Sequence, residues 1–278
     1  MQYKIEKNKI VIEDLSQFNI NHILDCGQIF RYEIKGNQAT VCSLDKFAKV
    51  VTYVDKVEIL TEDVDYFVNF FDLKTDYNAI KQQLKKDEFL SSAVDYGYGI
   101  RILKNDFFEM IVSFIISANN NISRIKKSIQ YLCEKFGENK GIYFAFPTLN
   151  KLKNATVLDF KNAGLGYRAE QLYETIQNLT NQQLEIVKTK SREEQFNFLV
   201  SLKGIGEKVA NCVMLFGLGQ MDSFPVDTWI NKVYNKLTNT TSTDRKKITK
   251  ELTQRYGSLS GYAQQYFFYY FRENKIKD

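Results

Sequence analysis

The run Lys203-Gly204-Ile205-Gly206-Glu207-Lys208 sets one aliphatic residue between two glycines. Two glycines so close make a tight reversal, because glycine takes positive φ without a Cβ clash and lets a ligand come close. Ile205 is then the plug that anchors the turn in a core. The helix that follows begins with N–H groups that have no partner inside it, a ready seat for a phosphate. An ordinary joint between two helices would use the same glycines. The residues beyond carry more weight. Lys208 and Cys212 lie four apart and share one helix face. In Phe224-Pro225-Val226-Asp227-Thr228-Trp229, Pro225 ends any preceding element and Asp227 can cap the next helix. A cap alone would also account for Asp227.

The chain around this motif reads as α+β: an N-terminal antiparallel sheet (residues 1–104), then a mostly helical, two-lobed region (105–278). Phe30, Tyr32 and Ile34 alternate with Arg31, Glu33 and Lys35, the period of a half-buried strand. Gly36-Asn37 turns the chain into a hairpin, and Ala39 and Val41 resume the alternation. Val50 to Ile59 suits one further strand, and Val64 to Leu73 a helix. From about Asp106 helix follows helix. Phe107 to Ile116 is apolar almost all round, as in a helix at the centre of a bundle. Ile122, Ile125, Ile129, Leu132 and Phe136 form a helical stripe stopped by Gly137. Further helices are expected near 155–163, 168–180 and 192–201, the last opened by a Ser191/Glu194 capping box.

Composition excludes several classes. Of 278 residues, 44% are hydrophobic and 26% charged, a globular balance that argues against disorder. No run of 18 apolar residues could span a membrane. Met1 to Asp14 lacks the apolar stretch of a signal peptide, so a cytoplasmic home is expected, or a nuclear one in a eukaryote. Cys26, Cys42, Cys133 and Cys212 are too widely spaced for a zinc ribbon and are expected as free thiols. The net charge of +5 is a mild pointer to a polyanion.

The run from Gly204 to Asp227 resembles the helix-hairpin-helix, Gly/Pro…Asp superfamily of DNA glycosylases. Four other segments resemble its 8-oxoguanine branch: Ser117-Ala118-Asn119-Asn120-Asn121-Ile122-Ser123-Arg124, Gly164-Leu165-Gly166-Tyr167-Arg168-Ala169, Cys26-Gly27-Gln28-Ile29-Phe30-Arg31, and Gly261 to Phe268. The likeness runs from about Leu24 to Phe268. It implies a bifunctional glycosylase/lyase of base excision repair that flips oxidised guanine out of double-stranded DNA. Lysine at 208 implies the branch whose amine attacks the sugar, with Asp227 stabilising the charge that develops there. That attack needs a neutral amine, and burial beside apolar groups is the expected means of lowering the affinity of Lys208 for its proton. By the same resemblance Gly27 accepts from the N7–H that guanine lacks, Gln264 holds the Watson–Crick edge, and Cys212 and Phe268 sandwich the ring. Asn119, with Asn120 beside it, fills the vacated stack. Arg124 and Arg168 read the opposing cytosine, Tyr167 wedges the neighbouring base, and Gly204 and Gly206 grip the backbone. Trp229 and Asn211 depart from the family, where a histidine and an acidic residue are usual.

The resemblance implies no metal and no cofactor, beyond a possible monovalent cation on the hairpin carbonyls, and a monomer. The alternatives are an endonuclease III-like glycosylase for oxidised pyrimidines and a non-catalytic helix-hairpin-helix DNA-binding protein. The first carries four clustered cysteines near its C-terminus for an iron–sulfur cluster, and here none follows Cys212. The second has no use for Lys208 and Asp227 together.

Overall fold

A computed structural model describes residues 1–274. Six antiparallel strands form one sheet: β1 (Lys4–Glu6), β2 (Lys9–Ile12), β3 (Tyr32–Lys35), β4 (Gln38–Ser43), β5 (Lys46–Thr52) and β6 (Val57–Leu60), in the order β1-β2-β6-β5-β4-β3. The Gly36-Asn37 hairpin is as expected, with Lys35 facing Gln38 across a two-residue loop. The single strand expected over Val50 to Ile59 is instead the halves of two. The chain reverses at Tyr53–Lys56, where the Tyr53 N–H donates to the Lys56 carbonyl at 2.8 Å. Val54 at that tip is 99% exposed, so its apolar character reported neither strand nor core. The β1–β2 hairpin was not foreseen.

One sheet face carries Ile10, Ile12, Val41, Val50 and Ile59, all fully buried, against Phe67, Phe70 and Phe71. The last three belong to or end α2 (Val64–Phe70), which follows α1 (Ile20–Leu24). The helical region then runs through α3 (Tyr77–Leu84), α4 (Glu88–Tyr96), α5 (Phe107–Ser117), α6 (Ile122–Phe136), α7 (Leu149–Leu152), α8 (Val157–Asn162) and α9 (Arg168–Asn178). It closes with α10 (Asn181–Lys188), α11 (Arg192–Ser201), α12 (Glu207–Gly217), α13 (Thr228–Thr238), α14 (Arg245–Tyr256) and α15 (Ser260–Glu273). Helix α5 is the hub, with Phe107 and the run from Glu109 to Ile116 buried among α6, α9 and α12. Each of its aliphatic side chains contributes about 1.5–3 kcal/mol by burial. The Ser191/Glu194 capping box is present at the start of α11.

A buried ion pair fastens the sheet region to this hub. Arg31 Nη1 lies 3.3 Å from Glu109 Oε1 and 3.1 Å from the Leu44 carbonyl, while Nη2 donates to Phe144 O at 2.6 Å. Glu109 also accepts from the Leu44 N–H at 2.8 Å. Burial pushes the Glu109 carboxyl up, and Arg31 beside it pulls the other way.

Candidate active site

The turn at 202–206 places Ile205 in the core and Gly204 at φ +84°. A Cβ on Gly204 would meet the Gln171 side chain at 3.1 Å, so both space and conformation demand glycine. Gly206 is different. Its backbone is extended, and nothing lies within 4 Å of where its Cβ would stand. It N-caps α12 with no side-chain hydrogen bond, so the cap itself offers no partner to the first N–H groups of that helix.

Lys208 sits in the first turn of α12 and Cys212 one turn on, so the two side chains share one face of the helix. Burial pushes the Cys212 thiol up, an effect the neighbouring ammonium partly offsets. The Lys208 Nζ also lies 5.8 Å from the centre of the Phe114 ring on α5. Lys208 is half-buried rather than enclosed. Asp227 caps α13, accepting from the Ile230 N–H at 2.9 Å through one carboxylate oxygen. Capping thus occupies only one of the two carboxylate oxygens.

Gly27, Lys208, Cys212, Asp227, Gln264 and Phe268 all line one small cavity of about 40 Å³. Gly27 is at φ +76°, and a Cβ there would meet the Phe268 ring at 3.0 Å. The ring therefore closes directly on the glycine. Gln264 is 5% exposed, and its Oε1 has no hydrogen-bond partner among the described residues. An unsatisfied buried acceptor of this kind costs about 1–3 kcal/mol.

The remaining predicted residues lie outside this lining, and those on the segments that lead into α6 and α9, tied together by Arg168, are called the rim below. Asn121 caps α6 by accepting from the Arg124 N–H at 3.0 Å, and Asn120 donates to Ile116 O at 3.1 Å. Asn119 takes a left-handed φ of +49°, and its side chain makes no hydrogen bond among the described residues. Tyr167 is 58% exposed and Arg124 is exposed. Arg168 is 5% exposed, and its Nη1 donates to the Ala118 carbonyl at 2.9 Å. It joins the α8–α9 loop to the α5–α6 loop instead of reaching into solvent. Asn211 turns back on its own helix, donating to Glu207 O at 2.9 Å. Trp229 is half-buried with the Lys232 ammonium 5.9 Å from its ring centre.

Residues 10–111 match the family described as 8-oxoguanine DNA glycosylase, N-terminal domain. Residues 112–258 match the HhH-GPD superfamily of base excision DNA repair proteins. The chain belongs to the 8-oxoguanine DNA glycosylase/lyase family. A Clostridium acetobutylicum 8-oxoguanine glycosylase/lyase, solved with double-stranded DNA containing cytosine opposite 8-oxoguanine, is 39% identical to it. That structure superposes with a TM-score of 0.93 over 99% of both chains. The structure of MBOgg1 with a low-affinity DNA ligand is 33% identical, again with a TM-score of 0.93. The N-glycosylase/DNA lyase of Saccharomyces cerevisiae is 28% identical over 96% of this chain and 86% of its own. An endonuclease III–DNA complex shares the fold over 69% of the chain at 16% identity.

Some residues that brace or line the cavity were given no role from the sequence. Gln28 is fully buried, donating to Ile23 O at 2.9 Å and Arg101 O at 2.8 Å and accepting from the Leu103 N–H at 2.8 Å. Phe114 and Phe216 join the cavity wall. Buried amides look like surface residues in a linear sequence, and only their aromatic neighbourhood could have flagged them. Among the described residues no cluster of three or more His, Cys, Asp or Glu could hold a metal, and no helix is long and apolar enough to cross a membrane.

Proposed function

We propose that this chain excises 8-oxoguanine from double-stranded DNA, preferably opposite cytosine, and then nicks the strand through a lysine Schiff base. One observation carries the reading: the amine of Lys208 and the carboxylate of Asp227 line the same cavity as Gly27 and Gln264. The sheet-bearing part, residues 1–104, supplies Gly27, and residues 105–278 supply the rest. Lys208 Nζ, as the free amine, forms a bond to C1′ as the C1′–N9 bond breaks, and the base departs with that electron pair and takes up a proton. The sugar ring opens to a protonated Schiff base. Loss of a proton from C2′ then expels the 3′ phosphate oxygen, and water releases Lys208.

Asp227 supports the cationic sugar through the oxygen its helix cap leaves free. The Gly27 carbonyl accepts from N7–H of the lesion and meets only a lone pair on guanine, the kind of mismatch that gives strong rejection. Gln264, with its unpaired Oε1, takes the Watson–Crick edge, and Cys212 and Phe268 flank the ring. Asn119 fills the stack beside the orphaned cytosine, which Arg124 and Arg168 read, and Tyr167 wedges the next base. The hairpin at Gly204–Gly206 seats a phosphate. A monovalent cation could share the hairpin's carbonyls, since Leu202 O and Lys203 O each accept one donor, Ile205 N–H and the Thr175 hydroxyl, and keep a second lone pair. No chemical step passes through such an ion. A monomer working in cytoplasm or nucleus fits this role.

Borohydride reduction of the Schiff base tests the reading. Lys208→Gln abolishes covalent trapping and strand cleavage on lesion duplex while retaining DNA affinity. Normal trapping by that variant would move the chemistry to another amine.

A further inference from the structure

Glycine does not hold its own peptide still, because without a Cβ its ψ is weakly restrained. A carbonyl on Gly27 that is to discriminate one proton must therefore be fixed by its flanks. Three consecutive carbonyls form this turn. Arg272 Nη2 donates to that of Asp25. Gln265 Nε2 donates to that of Cys26 at 3.3 Å and to the Cys26 sulfur at 3.1 Å. The third, on Gly27, receives no hydrogen bond among the described residues.

Both anchors come from α15, and Gln265 is 1% exposed. On the other flank the Gln28 amide is pinned to Ile23, Arg101 and Leu103. The Cys26 thiol, pushed up to about 12 by burial, stays protonated and faces Ile23 O at 3.2 Å. Its sulfur accepts from both Gln265 and Gln28, each at 3.1 Å. Gln265 follows Gln264 on the same helix, and successive helical residues point about 100° apart. Both residues therefore reach the cavity wall from different directions, Gln264 with an unpaired Oε1 and Gln265 with its amide on the Cys26 turn.

We propose that Gln265 is a positioning residue for lesion discrimination: its clamp on Cys26 aims the Gly27 carbonyl into the cavity, in register with Gln264. The inference rests on the role given above to Gly27. It predicts that discrimination at the base is lost separately from the chemistry of Lys208, since sub-ångström aim matters only to the step that needs it.

The test is single-turnover kinetics on three duplexes, each with cytosine opposite: 8-oxoguanine, 8-bromoguanine (substituted at C8 but with no proton on N7), and a preformed abasic site. Wild type excises 8-oxoguanine far faster than 8-bromoguanine. Gln265→Met, which keeps the length and loses the donor, lowers the ratio of 8-oxoguanine excision to abasic-site cleavage about tenfold, the scale of one hydrogen bond. The 8-bromoguanine rate stays put, so discrimination narrows. A purely structural role would slow all three reactions in proportion, and that result, or unchanged ratios, overturns the inference. Equal wild-type rates on the two bases would instead remove the role of Gly27 itself. Should Gln265→Met not fold, Gln265→Asn, whose amide stops one methylene short, is put to the same ratios.

Discussion

Around the cavity Cys26, Cys212, Gln264 and Gln265 are buried, whereas Asn119, Arg124 and Tyr167 on the neighbouring loops stand in solvent. Behind the cavity Gln28, Gln265 and Arg272 hold the turn at Asp25–Gly27 through interior hydrogen bonds, while Gln264 Oε1 and the Gly27 carbonyl have no partner among the described residues. Such networks hold one geometry and lose much when a member is removed. The rim is held mainly through backbone and caps, which leaves its side chains free for a partner. Arg168 is the exception, being a rim residue folded inward onto Ala118 O. Changes at the cavity should therefore act on rate, steeply and selectively, and changes at the rim should act on partner preference or binding, in small separable steps.

The steepest test of that contrast is Asp227→Asn. Base release in single turnover falls by about two to three orders of magnitude, the scale for one preorganised electrostatic group. The amide oxygen can still cap α13, so circular dichroism and melting should change little. Near-normal turnover in a folded variant would reduce Asp227 to a cap and make the cavity no more demanding than the rim.

At the rim, wild type should prefer cytosine over adenine opposite the lesion by about tenfold or more, since charge-assisted hydrogen bonds contribute roughly 1.5–3 kcal/mol each. Arg124→Met should flatten this preference more than it slows any one duplex, as single-turnover rates against all four opposing bases would reveal. Equal wild-type rates would sink the cytosine-reading role.

The smallest effect is expected at Lys246, which pairs with Glu207 at 2.7 Å beside the hairpin and is largely exposed. If it reaches a phosphate, Lys246→Gln weakens binding to any duplex a few-fold and lowers the salt slope of affinity by about one unit. An unchanged slope from titrations at several ionic strengths would leave Lys246 as a holder of Glu207 alone.

Legibility followed the same divide. The hairpin at 36–37, helix α5, the α6 stripe and the Ser191 cap could be read because local periodicity and capping chemistry agreed with the final fold. Strand β1 could not, since Lys4, Ile5 and Glu6 are exposed on both faces and show no alternation to detect. The turn at Tyr53–Lys56 was masked by Val54. Helix α10 was missed although its Thr180/Gln183 capping box was available. Of the site, the residues on short motifs were visible, and the resemblance could name them. The partners that fix those motifs were not: Arg31 with Glu109, and Gln265 with Cys26, are 78 and 239 positions apart.

The 40 Å³ cavity has one more consequence. Its volume is about that of one or two water molecules, well short of a purine, and the Phe268 ring packs against Gly27 in its wall. Engaging a duplex and admitting a base are thus distinct events in time. As DNA concentration rises, the observed rate should level off at a unimolecular limit set by the steps that follow binding, the movement of the ring and the base among them. On the proposed roles of Lys208 and Gly27, undamaged DNA can then be held and surveyed without any guanine touching the amine, so selectivity begins before the hydrogen bond to N7 is ever offered.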